Sequence, residues 1–195
     1  MSNDKEAVNR LFKLQAKINM MVVDGARDAN TVANALQQIL EERREYLRHL
    51  ETIILASTRG SATLAHARGV FTGWLDGDFE SWGTNVPGED TAEAVVDVYE
   101  MTRDGNYRTL FGSLGDPRML CLSQGQIVEF CRSHRHSLRQ EGDGTFFLFE
   151  VNGELFVATV GVDGGALDAS VSGFEHGYVW GAGARRRLVV QQRTV

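Results

Sequence analysis

Apolar positions near the start of the chain recur at steps of three and four. Val8, Leu11, Phe12, Ile18 and Val22 therefore share one face of a helix. Gly25 ends that helix, and Asp28 follows as an N-cap whose carboxylate accepts from first-turn amides that lack an intrahelical partner. A second stripe, Val32, Leu36, Leu40 with Ile39 beside it, Leu47, Leu50 and Ile54, predicts helix over 28–56. Arg43 interrupts the stripe within the run Glu41 to Glu45. That run reads either as a solvated stretch of one long helix or as the point where two helices separate. The first 56 residues are thus expected to form a helical hairpin. Two amphipathic helices cannot bury both apolar faces against each other alone, so the remaining surface is expected to meet the C-terminal domain or a second copy, with self-association or a protein partner through these helices favoured.

The pattern changes after residue 56. Ser57 to Gly69 is rich in small and polar residues and reads as a linker over 57–69, and only Gly25, Gly60 and Gly69 of the 21 glycines precede residue 70. Residues 70–195 form the second region. A strand is expected over Val70 to Leu75, then a packed loop carrying Phe79, Trp82 and Pro87; Trp74 and Trp82, in glycine-rich surroundings, could line a pocket but are expected to fill core. Ala94, Val95, Val98 and Met101 predict a helix over Thr91 to Arg103, and a shorter turn follows at Tyr107 to Phe111. Ser123 and Gln126 form a capping-box signature at the head of a further helix with Ile127, Val128, Cys131, His134 and Leu138, closed by Gly142 and Gly144. Beyond this the period becomes two. Phe146 to Val151 and Glu154 to Val160 flank Asn152-Gly153, a strong hairpin signal, and further strands are expected at Leu167 to Phe174 and Arg187 to Val190. The expected class is α+β: an N-terminal helical hairpin, then a glycine-rich domain with two main helices and an antiparallel meander.

Composition sharpens this picture. With 43% hydrophobic and 24% charged residues the 195-residue chain can bury a core. A net charge of −6 opposes nucleic-acid and acidic-membrane binding by the molecule as a whole, so a nucleic-acid partner is not favoured unless a local basic patch supplies it. No apolar run approaches the roughly 18 residues that a membrane span needs. Two cysteines are too few for a disulfide scaffold, and Asp4, Lys5 and Glu6 stand where a signal peptide would be apolar, so a cytoplasmic setting is expected.

Several segments together resemble one family: Phe71 to Trp82 (FTGWLDGDFESW), Phe111 to Leu114 (FGSL), Leu120 to Ile127 (LCLSQGQI), Gly144 to Phe149 (GTFFLF), and Val179-Trp180 with Arg185 to Val190. The likeness spans roughly residues 70 to 192 and is to uncharacterised proteins of uncultivated, small-genome bacteria. The N-terminal region, with Asp24 to Asp28 at its bend and Ala35 to Leu40 after it, is similar to a short helical module ahead of that domain. The resemblance brings no activity with it.

Candidate chemistry is sparse. A P-loop is excluded because no lysine lies beyond Lys17, and neither G-x-S-x-G nor H-E-x-x-H occurs. No cofactor is expected. Cys121, Cys131 and His134, with His136, offer zinc-type ligands, against a bland reading of a buried thiol and a core or rim histidine. His134 or His136, with Glu129 or Glu150 as partner and Arg185, Arg186 or Arg187 beside a developing phosphorane, would suit a small phosphodiesterase or ribonuclease. Trp180, Tyr178 and His176 with Arg185 and Arg187 offer stacking faces and guanidinium clamps for a ligand or nucleic acid. Strand alternation places Arg185 and Arg187 on one side and Arg186 on the other, where a carboxylate could receive it. The plain alternative is an edge strand made soluble by charge. On balance the sequence favours a non-enzymatic binding or protein-interaction module.

Overall fold

The computed structural model describes residues 13–18, 20–33, 46–141 and 144–192. The chain divides into two compact units, Met1–Arg44 and Glu45–Val195.

In the first unit, residues 13–18 and 20–23 are helical, as are 29–33, and Ile18, Met21, Val22 and Val32 are its half-buried positions. Gly25 has φ +70°, a left-handed conformation that ends the first helix. The Asp28 carboxylate accepts from the Thr31 amide at 2.8 Å and from the Thr31 hydroxyl, so the expected N-cap is present. The amide bond comes first among the causes that hold its carboxyl below the usual range. Val8, Leu11, Phe12, Leu36, Ile39, Leu40 and the charged run Glu41 to Glu45 lie outside the described residues.

The second unit is a mixed α+β fold around one six-stranded sheet. Its strands are β1 (Leu47–Leu55), β2 (Ala94–Met101), β3 (Thr145–Val151), β4 (Glu154–Asp163), β5 (Ala166–Gly173) and β6 (Arg187–Gln191), in the order β1-β2-β6-β3-β4-β5. All neighbours pair antiparallel except β6 with β3, which run parallel with Thr145 opposite Arg187. The C-terminal strand therefore inserts between β2 and β3, where a simple meander would have left it at an edge.

Three expected elements are corrected. Leu47 to Leu55 is a strand and not helix. Its apolar spacing imitates a helix because the register with β2 shifts between His49 and Glu51, and such a bulge breaks the period of two. Ala94 to Met101 is likewise a strand; Val95, Val96, Val98 and Tyr99 are strand formers, and Val96, Val98 and Met101 are buried on its two faces. Val70 to Leu75 forms no regular strand. It runs along the outer edge of β5, donating from Gly73 to the Leu167 carbonyl, accepting from Ala169 at Trp74, and making one bridge at Leu75. That segment covers the β5 edge.

The stretch expected as a linker lies inside the second unit. Thr63, Leu64 and Ala65 are buried in it, and Gln124 ties it down. The Gln124 Oε1 accepts from the Leu64 amide at 3.0 Å, while its Nε2 donates to the carbonyls of Thr84 at 2.7 Å and Val86 at 3.2 Å.

Helices cover both faces of the sheet. On the first face α2 (Gln124–Ser133) packs Ile127, Val128, Phe130 and Cys131 against Val96, Val98, Phe147, Phe149 and Val189. Its capping box is complete, with the Gln126 amide on Ser123 Oγ and the Ser123 amide on Gln126 Oε1. On the second face α1 (Tyr107–Leu114) packs Tyr107, Leu110 and Phe111 against Met101, Phe146, Leu148, Leu188 and Val190. The expected hairpin is present: Asn152 and Gly153 have φ +51° and +83°, and Val151 faces Glu154.

Candidate functional site

Residues 173–186 carry the densest aromatic arrangement. Gly105 and Trp180 exchange backbone hydrogen bonds at 3.1 and 3.0 Å, which fixes the loop after β5 against the loop before α1. The indole of Trp180 then settles on Tyr107 and Phe146, with ring centroids 5.7 and 5.2 Å away. Tyr178 meets Trp180 edge-on at 4.6 Å, and His176 lies 6.4 Å from Tyr178. Among the described residues the buried Trp180 Nε1 has no hydrogen-bond partner, so burial of the ring, and not its polar atom, sets its position.

The three arginines turn to different neighbours, and since β6 begins only at Arg187, strand alternation does not set the directions of Arg185 and Arg186. Arg186 lies over Trp180, Cζ 4.6 Å from the ring centroid. Arg185, with φ +51°, turns instead to Glu100, which it reaches at 3.2 Å. Arg48 holds the same carboxylate at 2.7 Å. Of the aromatic set, then, His176, Tyr178 and Trp180 are brought together, but with Arg186 and without Arg185 or Arg187.

Arg187 takes part in the other constellation. Its Nη1 donates to the carbonyls of His136 at 3.3 Å and Leu138 at 3.2 Å. His134 caps the end of α2 and packs on Phe130, and its ring centroid is 6.2 Å from that of His136. Both histidines and Arg187 thus belong to the same end of the first face. The carboxylates do not join them. Glu129 accepts from Arg132 at 2.8 Å and from the Ser133 hydroxyl at 2.5 Å, and Glu150 pairs with Arg118 at 2.8 Å.

The zinc-type set is not assembled. Cys131 is buried in the first-face core, whereas Cys121 packs against the second-face core and donates to the Pro117 carbonyl, so the sheet separates the two thiols. Among the described residues no group of three His, Cys, Asp or Glu is arranged to hold a metal ion. Burial, the largest cause, followed by the charge of Glu150, pushes the Cys121 thiol up to about 12, and burial raises that of Cys131 further.

Trp74 and Trp82, expected in the core, are 58% and 49% exposed. Two recesses lay outside the sequence reading. One of about 450 Å³ lies between the buried stretch after β1 and α2, lined by Ser61, Thr63, His66, Val70, Val128 and Arg132; Thr63 Oγ1 holds His66 Nδ1 at 2.9 Å there. The other, of about 190 Å³, opens on the second face beside Asp97 and Tyr99. Next to it the His49 Nε2 lies 3.1 Å from Asp97 Oδ1 and 3.2 Å from Thr52 Oγ1. One imidazole nitrogen serves both neighbours, so these residues do not form a hydroxyl–imidazole–carboxylate relay, which needs both ring nitrogens. No sequence motif marks this cluster, because the β1 bulge brings His49 and Thr52 to one face despite their odd spacing.

No family model, curated protein or solved structure matches the chain. Among the described residues no helix is long and apolar enough to cross a membrane.

Proposed function

We propose that the chain is a non-enzymatic binding module that engages a protein partner through Tyr178 and Val179, with the N-terminal helical unit serving self-association. The observation that carries this is a contrast within three residues. Trp180 is anchored against Tyr107 and Phe146 and covered by Arg186, while Tyr178 and Val179 beside it are each 56% exposed. An apolar and aromatic pair held out on a fixed base loses little conformational freedom on binding, and aromatic and arginine residues dominate binding hot spots. Photo-crosslinking in cells from a side chain placed at position 178 tests it. A cytoplasmic setting and kinship with the family of small-genome bacteria belong to the same proposal.

A second reading, a small phosphodiesterase or ribonuclease using His134, His136 and the Arg185 to Arg187 run, is favoured by the reach of Arg187 to the His136 backbone. It is weakened by the ties of Arg185 to Glu100 and of Glu129 to Arg132. RNA and DNA cleavage assays on the purified protein and on His134→Ala and His136→Ala decide it; cleavage lost in both variants would replace the first reading.

A further inference from the structure

Asp97 is a nearly buried carboxylate in an interior strand, with its side chain 11% exposed. Among the described residues no arginine or lysine pairs with it, and its imidazole neighbour is His49. Three donors serve it: Thr52 Oγ1 at 2.5 Å, His49 Nε2 at 3.1 Å and Gln192 Nε2 at 3.5 Å. All three reach Oδ1, and among the described residues no hydrogen bond reaches Oδ2. Asp97 Oδ2 is not among the sealed, unpartnered atoms of the interior, so it stays open to a donor that enters the recess beside it.

The recess beside it has the complementary shape for such a cation. About 190 Å³ in volume, it is lined by Asp97, Tyr99, Leu114, Leu120, Val190 and Gln192. Leucine and valine walls suit an alkyl stem, and the Tyr99 ring offers a negative π-face. One free carboxylate oxygen matches a compact ammonium. A guanidinium fork, by contrast, makes its strong contact with both oxygens at once, and Oδ1 is already occupied.

We infer that this recess binds a primary alkylammonium group, with Asp97 Oδ2 as its acceptor and Tyr99, Leu114, Leu120 and Val190 around its stem. Two sources share this chemistry, a lysine side chain of another protein and a free alkyl amine. The net charge of −6 favours cationic ligands of either kind.

The full chain is titrated at pH 8 with n-butylammonium, n-butanol and n-butylguanidinium, following backbone amide shifts by NMR. The expected result is saturable shifts at Asp97, Tyr99 and Gln191 with n-butylammonium, binding at least tenfold weaker for the other two probes, and loss of the shifts in Asp97→Asn. Leu114→Trp, which enlarges a side chain lining the recess and leaves the carboxylate in place, is expected to abolish binding with the amide spectrum otherwise native. Nα-acetyl-lysine methylamide then separates the sources. Affinity matching n-butylammonium assigns a lysine side chain, and rejection assigns a free amine. Equal binding of n-butanol, unchanged binding by a folded Asp97→Asn or Leu114→Trp variant, or no saturable shift with n-butylammonium overturns the inference.

Discussion

The guanidinium of Arg186 rests on the indole of Trp180, 4.6 Å from its centroid, and that indole in turn rests on Tyr107 and Phe146. The stack joins the residue just before β6, the loop after β5, α1 and β3. Removing its middle member should therefore cost more than removing its cap. Trp180→Ala is expected to lose about 2–4 kcal/mol, as large-to-small changes in packed sites do, and Arg186→Ala about 0.5–1 kcal/mol. Trp180→Phe should retain most of the stability, since among the described residues the indole N–H makes no hydrogen bond. Urea unfolding of the three variants checks the ranking.

Gln124 holds the segment after β1 to α2 through one acceptor and two donor contacts, those to Leu64 and Thr84 buried and that to Val86 half-buried. Gln124→Ala leaves the Leu64 amide and the Thr84 and Val86 carbonyls without these partners, for an expected loss of about 1–3 kcal/mol. Gln124→Glu should be at least as damaging at neutral pH, because a carboxylate would face two carbonyl oxygens. Chemical unfolding gives the free energies, and amide exchange at Leu64 should quicken in both variants.

Truncation tests where the second unit begins. A chain starting at Glu45 keeps β1, whose pairing with β2 runs from Leu47 opposite Met101 to Leu55 opposite Ala94. A chain starting at Ser61 removes that strand and with it the buried Leu47, Ile53 and Leu55. The first should unfold cooperatively in urea, and the second should not. Light scattering of the full chain beside the Glu45 fragment is expected to show an oligomer that the fragment loses.

The two thiols predict an alkaline weakness. An unfolded thiol ionises near pH 8.5, whereas folding pushes Cys121 up to about 12 and raises Cys131 further, burial being the main cause in both. Between these values the unfolded chain has lost protons that the folded chain keeps, so stability is full below about pH 8 and falls as pH rises. Burial also raises Tyr99 and Tyr107, which extends the fall above about pH 10. The urea midpoint should drop between pH 7.5 and 9.5. In Cys131→Ala it should be lower at both values but drop less between them. A thiol reagent at pH 8 should react slowly with native protein and fully with unfolded protein.

Local signals in the sequence were read correctly wherever the physics was local. The Asp28 cap, the Ser123–Gln126 box and the Asn152-Gly153 turn each depend on residues a few positions apart. The misread elements depend on distant partners. Residues 94–101 become strand because β1 and β6 flank them, and the bulge at His49 hides the alternation that would have marked β1. The parallel pairing of β6 with β3 joins segments about forty residues apart and leaves no periodic trace. For the sites, strand alternation does not reach Arg185 and Arg186, which precede β6, and the contacts of the run with Trp180, Glu100 and the His136 carbonyl are set by tertiary packing. The Asp97 recess was invisible for the same reason.

The most direct test of the binding proposal is photo-crosslinking in cells from position 178, with a matched probe at Asp163, an exposed strand end, as control. A discrete cross-linked protein species is expected from 178 and not from 163, and it should weaken at least tenfold when Trp180→Ala removes the anchor. The same cross-link pattern from both positions, or none from 178, would contradict the account.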